Sequence, residues 1–167
     1  RLEEVFLDKT GTLTTDQLTL ATWIADQDDH EVRAAVVALE SRSNHPVARA
    51  LVEAFEVGVD REQLPEVSEY REVIGRGISG VVRGERYELK REEQGVGVWR
   101  SGRRVALARF HNPLRPDSVA AVASLERLGL RPWILSGDSK AHVYEVADAV
   151  GIPRARAVYG ATPEDKR

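Results

Sequence analysis

Cysteine and methionine are both absent from this chain of 167 residues. Without cysteine there is no disulfide, no thiolate metal ligand and no thiol nucleophile. The lack of even an initiator methionine leads to the expectation that the sequence is a piece of a longer chain. No apolar run approaches the ~20 residues that span a bilayer, and no signal-peptide pattern is visible. Positive charge is not in excess: 24 Lys and Arg against 27 Asp and Glu leave a net charge of -3. That removes the electrostatic case for a nucleic-acid or anionic-membrane surface. The four histidines, His30, His45, His111 and His142, lack paired ligand spacing, which argues against a structural zinc site. What is present is a globular composition, 42% hydrophobic and 31% charged, sufficient for one ordinary domain or two small ones.

The pattern along the chain changes character twice. Val5-Phe6-Leu7 is a short apolar run broken by DKTGT, which predicts a buried parallel strand and a turn. Leu18 to Ile24 predicts a second strand, and His30 to Leu39 a helix with Val32, Val36 and Leu39 on one face, capped by Asp28 or Asp29. Pro46 at a first-turn position opens another helix through Phe55. From about Ser68 short β-like runs follow: Tyr70–Ile74, Gly80–Val82, Arg86–Leu89, Gly95–Trp99 and Arg104–Phe110, the pattern of an antiparallel sheet. After NPLRPD the pattern is β-α-β-α-β: a helix capped by Asp117 and stopped by Gly129, the strand Trp133–Leu135, a helix from Lys140 to Val150 stopped by Gly151, and a short strand Ala157–Tyr159. That is the mark of a parallel sheet with right-handed crossovers, and the first strand fits it. The middle, roughly residues 16–109, therefore reads as an insertion in a split α/β domain made of residues 1–15 and 110–167.

Two strand ends carry polar turns, DKTGT and SGDS, and in a parallel sheet both lie on the ligand-binding carboxyl edge. Lys166, in TPEDK, follows the last strand and can reach the same edge. An aspartate nucleophile, a serine hydroxyl and a lysine ammonium converging there suit phosphoryl transfer, with magnesium needed to offset the repulsion between carboxylate and phosphate. Taken singly, Asp8 also fits an Asx-type turn, Lys166 a solvated tail charge, His45 a polar residue before a helix-opening proline, and GRGISG a glycine-rich turn or bulge.

DKTGTLT closely resembles the phosphorylation motif of P-type ATPases, cation pumps of the haloacid-dehalogenase-like superfamily. SGD is similar to their TGD motif and PEDK to the segment with their phosphate-contacting lysine. ESRSNHPVA (Glu40 to Ala48) and GRGISG (Gly75 to Gly80) resemble the nucleotide-binding domain of the heavy-metal subgroup. The resemblance implies an α/β fold: a split parallel-sheet phosphorylation domain with an inserted α+β nucleotide-binding domain built on an antiparallel sheet. It implies that Asp8 is the phosphorylated nucleophile, that Asp8 and the Thr10 carbonyl ligate Mg2+, and that Thr10, Ser136 and Lys166 hold the phosphoryl group. Glu40, His45, Gly75 and Gly77 would bind ATP, with Asp138 near the phosphorylation and nucleotide sites. Partners would be the transmembrane and actuator domains of the same pump at the cytoplasmic face of a membrane, with copper slightly preferred as the ion.

Superfamily phosphatases usually carry a second Asp where Thr10 stands, to hydrolyse the phosphoaspartate. Threonine cannot do that work, which disfavours a free phosphatase. A nucleotide-binding module without catalysis is the other alternative. Several positions depart from the subgroup pattern. Lys90-Arg91 replaces Gly-Asn, Asn112 replaces Asp, Ser139 replaces the Asn of TGDN, and the sequence ends before the Gly-Asp-Gly-x-x-Asn-Asp motif. The expectation is an intact nucleotide-binding domain beside an incomplete phosphorylation domain that exposes a sheet edge.

Overall fold

The computed structural model describes residues 3–26 and 29–165, and these form two compact units: residues 3–17 with 112–165, and residues 18–26 with 29–111. Gln27, Asp28, Lys166 and Arg167 lie outside the described residues, so the predicted Asp28 cap and phosphate-contacting Lys166 do as well.

The first unit is a three-stranded parallel sheet in the order β1-β8-β9, with β1 at Glu3–Asp8, β8 at Leu130–Leu135 and β9 at Ala157–Val158. β1 runs in register with β8 from Glu3 opposite Leu130 to Asp8 opposite Leu135. Helices α3 (Ser118–Arg127) and α4 (Lys140–Val150) supply Val122, Val143, Ala147 and Val150 to a core with Leu13, Ile134 and Ile152. Gly151 ends α4 in the left-handed conformation, φ 82°, the role that glycine fills at no steric cost. The expectation of a buried first strand is corrected: none of its residues is buried among the described residues. Phe6 is 56% exposed and stacks on Trp133 of β8, ring centres 5.8 Å apart, because alternate residues of β1 face opposite sides of the sheet. Asp117 occupies the cap position of α3 but makes no capping bond; its carboxylate lies 3.6 Å from Arg115.

The second unit is a six-stranded antiparallel sheet in the order β2-β7-β6-β5-β4-β3. Its strands are β2 (Thr19–Ala25), β3 (Val67–Val73), β4 (Gly77–Val82), β5 (Glu85–Glu92), β6 (Gly95–Arg100) and β7 (Arg103–His111). Helix α1 (His30–Glu40) packs on β3, β4 and helix α2 (Pro46–Phe55). Asp29 does not cap α1 through its side chain. Its carboxylate instead accepts from the Trp23 indole and, at 2.8 Å, from Arg33 Nε. The single apolar stripe expected of α1 is too narrow: every residue from Ala34 to Glu40 is buried, because sheet and α2 enclose the second half of the helix. Strand β4 begins three residues before the predicted start. A Cβ on Gly80 would press on Leu39 and Val67 side chains, so the glycine there admits α1 close to the sheet.

Candidate functional site

The first unit gathers four of the predicted site residues on one sheet edge. The parallel register sets Asp8 opposite Leu135, so the turn after β1 and the turn at Ser136–Asp138 leave the sheet side by side. The turn after Asp8 wraps on itself: the Lys9 carbonyl accepts from the Leu13 and Thr14 amides at 3.1 and 2.9 Å and from the Thr14 hydroxyl at 3.2 Å. It is also latched from outside, since the Leu13 carbonyl accepts from the buried Ser118 hydroxyl at 2.7 Å and from the Arg115 amide at 3.0 Å. Asp8 and Thr10 are exposed at the surface of this fixed turn, whereas Ser136 is 3% exposed. Ser136 Oγ accepts from the Asp138 amide at 3.2 Å, which leaves its own hydrogen to donate.

Lys9, to which no motif pointed, is buried on this edge beside Ser136. It is 3% exposed, and its Nζ lies 3.1 Å from Asp138 Oδ2. Asp138 Oδ1 accepts from the Ser139 amide at 2.7 Å and lies 3.3 Å from His142 Nδ1. Burial works against ionisation of Asp138, but the Ser139 amide, the Lys9 ammonium and His142 together outweigh it and hold the carboxyl below its usual value. The only sequence signal for Lys9 was a charge next to a strand end. Its partner is supplied by the other crossover, which no local pattern reveals.

The second unit brings Glu40, His45 and the GRGISG turn to one end of its sheet. Glu40 is 5% exposed at the last position of α1, and among the described residues its carboxyl has no hydrogen-bond or cationic partner. Burial, then the charge of Glu72, raises it to about 7. His45 caps α2, its Nδ1 accepting from the Val47 amide at 3.2 Å. That bond fixes the neutral ring as the Nε2–H tautomer and leaves Nε2 for other partners.

Gly75 lies in the β3–β4 turn at φ 78° and Gly77 opens β4 at φ 127°. A Cβ on Gly77 would collide with the Leu89 carbonyl of β5, so the close approach that requires this glycine is made by the neighbouring strand. Lys90, at one of the departing positions, pairs with Gly77 but turns to the sheet face away from the helices. Its Nζ lies 5.0 Å from the Trp99 ring centre and 3.2 Å from Glu88. Glu72, Ser43 and Tyr70 also belong to this end, and the sequence reading did not single them out.

Among the described residues no three His, Asp or Glu side chains converge as a cation cage. A hard cation could still take oxygen from Asp8 and its turn together with substrate phosphate, the mode in which magnesium is bound by one or two carboxylates. No helix among the described residues is long and apolar enough to cross a membrane.

The chain is 32% identical to a probable copper-transporting ATPase, PacS, of Synechococcus elongatus, over 93% of this chain and 24% of that protein. It is 29% identical to copper-exporting P-type ATPase B of Archaeoglobus fulgidus, over 90% of this chain and 25% of that protein. It thus spans about a quarter of the length of these curated relatives. Among solved structures it resembles the catalytic domain of the CPx-ATPase CopB-B, studied for its conformational changes on nucleotide binding. The match has a TM-score of 0.84 and 30% identity, and covers 99% of this chain and 64% of that one. The model of the haloacid dehalogenase-like hydrolases matches residues 5–167, and the chain belongs to that family.

Proposed function

We propose that the chain is the catalytic portion of a heavy-metal-transporting P-type ATPase, in which ATP recognised by the second unit phosphorylates Asp8 of the first. The observation that carries this reading is the strand-end register: Asp8 projects from the carboxyl end of β1 beside the Ser136–Asp138 turn, with threonine where a phosphatase would have its second aspartate. An Asp8 carboxylate oxygen forms a bond to the γ-phosphorus, and the bond to the bridging oxygen breaks, with ADP leaving on the electron pair. The Ser136 hydroxyl donates to a phosphoryl oxygen, and the Thr10 hydroxyl and Lys166 hold the others. Lys9 acts on Asp138 and fixes the second turn. Magnesium, held by the Asp8 carboxylate and the Thr10 carbonyl, would offset the negative charge gathered there. Because Thr10 cannot act as a general base, the acyl phosphate persists long enough to be coupled to transport.

Glu40 and His45, with the Gly75–Gly77 turn, are the residues proposed to recognise ATP, and Asp138 stands by the phosphoryl site. Copper is the proposed cargo and the cytoplasmic face of a membrane the proposed location, with transmembrane and actuator domains of the same protein as partners. The test is incubation of the full-length protein with γ-labelled ATP and magnesium. A hydroxylamine-labile label that disappears in Asp8→Asn is expected. Steady turnover of a simple aryl phosphate without such a label would favour a phosphatase and sink the pump reading.

A further inference from the structure

Strand β3 contains an extra residue. Val67 pairs with Val82 and Ser68 with Val81, but Arg71 pairs with Ser79 and Glu72 with Ile78, so the register slips once between Ser68 and Arg71. Glu69, at φ 50°, lies within that slip. A bulge of this kind re-aims every side chain beyond it. Paired with the buried Ile78, Glu72 comes to the sheet face that α1 covers; without the bulge it would point to the opposite face. There its Oε1 accepts from the Ser43 hydroxyl at 2.7 Å, and its Oε2 lies 3.4 Å from the Tyr70 hydroxyl. The Ser43 oxygen in turn accepts from the His45 amide at 3.2 Å. A continuous chain of bonds therefore runs from β3 to the residue that caps α2, crossing the turn that starts at Glu40.

We propose that Glu72 is a positioning residue for the nucleotide: through the Ser43 hydroxyl it fastens the turn bearing His45 to β3, so that Glu40 and His45 meet the ligand in one fixed arrangement. The inference rests on the nucleotide-binding reading of this unit. Two features set Glu72 apart from an incidental surface acid. The bulge costs a ladder pairing and a left-handed residue, and its effect is to bring a carboxylate toward a buried one. That second carboxyl, Glu40, has no protein donor among the described residues, and the Glu72 charge adds to burial in disfavouring its ionisation. The other ionisable groups near Glu40 are Tyr70 on β3 and Arg42, whose guanidinium lies 5.7 Å from the Tyr70 ring centre. Strand β4 has no ionisable side chain, and Arg49 and Glu53 of α2 are exposed.

Calorimetric titration of ATP into the wild type, Glu72→Ala, Ser43→Ala and the double variant tests the proposal. Each single variant should bind about tenfold more weakly, and the double variant no more weakly than either, because all three break one chain of bonds. Glu72→Gln, which keeps an acceptor for Ser43, should recover most of the loss. It should also move the Glu40 titration seen by carboxyl NMR to lower pH, because it removes the charge beside that carboxyl. Ser43→Ala removes only a half-buried hydroxyl and stands in if Glu72→Ala does not fold. Wild-type affinity in both single variants, or losses that multiply to about a hundredfold, would overturn the proposal while leaving nucleotide binding intact. Absence of ATP binding by the wild type would instead sink the nucleotide reading, and this inference with it.

Discussion

Asp138 and Glu40 are both acids drawn toward the interior, and the two units treat them in opposite ways. Asp138 is given a buried lysine, a backbone amide and a histidine, and its carboxyl titrates below the usual value. Glu40 is more deeply buried, is given no donor among the described residues, faces a second carboxylate and titrates about 7. The first arrangement organises a turn; the second leaves a buried carboxyl without a protein donor among the described residues. Burial of a carboxyl without a protein donor is unfavourable for its ionised form and is the stronger of the two pointers to a ligand.

The largest effect should come from Asp138→Ala. It leaves Lys9 as a buried cation with its partner removed, and the first unit should lose about 3 kcal/mol in urea unfolding followed at the β1 and β8 amides. An effect below about 1 kcal/mol would show that the pair does not organise this edge. Next is Glu40→Gln. The folded-state value of Glu40 is raised, so the native state favours the protonated acid. The second unit is then relatively more stable below the ordinary value of 4.5, and that advantage is lost as pH rises through about 7. Glu40→Gln should stabilise the unit by about 2 kcal/mol at pH 8 and scarcely at pH 4. Equal effects at both pH values would break the contrast. The smallest effect belongs to Lys9→Met, about 1 kcal/mol, because Asp138 keeps the Ser139 amide and is 37% exposed to water. Asp138 has the opposite pH sign: its lowered value contributes stability above the ordinary carboxylate range, lost as pH falls through the folded value.

Those contrasts also mark what could be read from the sequence. The apolar run before DKTGT, the glycine stops at Gly129 and Gly151 and the proline opening of α2 are local signals, and the strands and helices stand close to where they predict. The edge bearing Asp8, Ser136 and Asp138 follows from the parallel pairing of β1 and β8. The Lys9–Asp138 pair joins segments far apart in the chain, and only the tertiary fold reveals it. The burial of Glu40 depends on α1 being enclosed by the sheet and α2, which a narrow apolar stripe does not announce. Glu72 was hidden by the β3 bulge, since strict alternation would assign it to the other face. Gly77, which the resemblance assigns to ATP binding, also admits the Leu89 carbonyl of β5, a close approach that no local pattern announces.

The central claim is that the Glu40 carboxyl is reserved for a nucleotide. Its most direct test is to titrate ATP into the protein while following backbone amides and side-chain carboxyls by NMR, with Glu40→Ala and His45→Ala as controls. The account predicts saturable shifts at Glu40, Ser43, His45 and the Gly75–Gly77 turn, a change in the Glu40 titration, and loss of binding in both variants. Binding that leaves the Glu40 carboxyl unmoved, or that survives both substitutions, would contradict it.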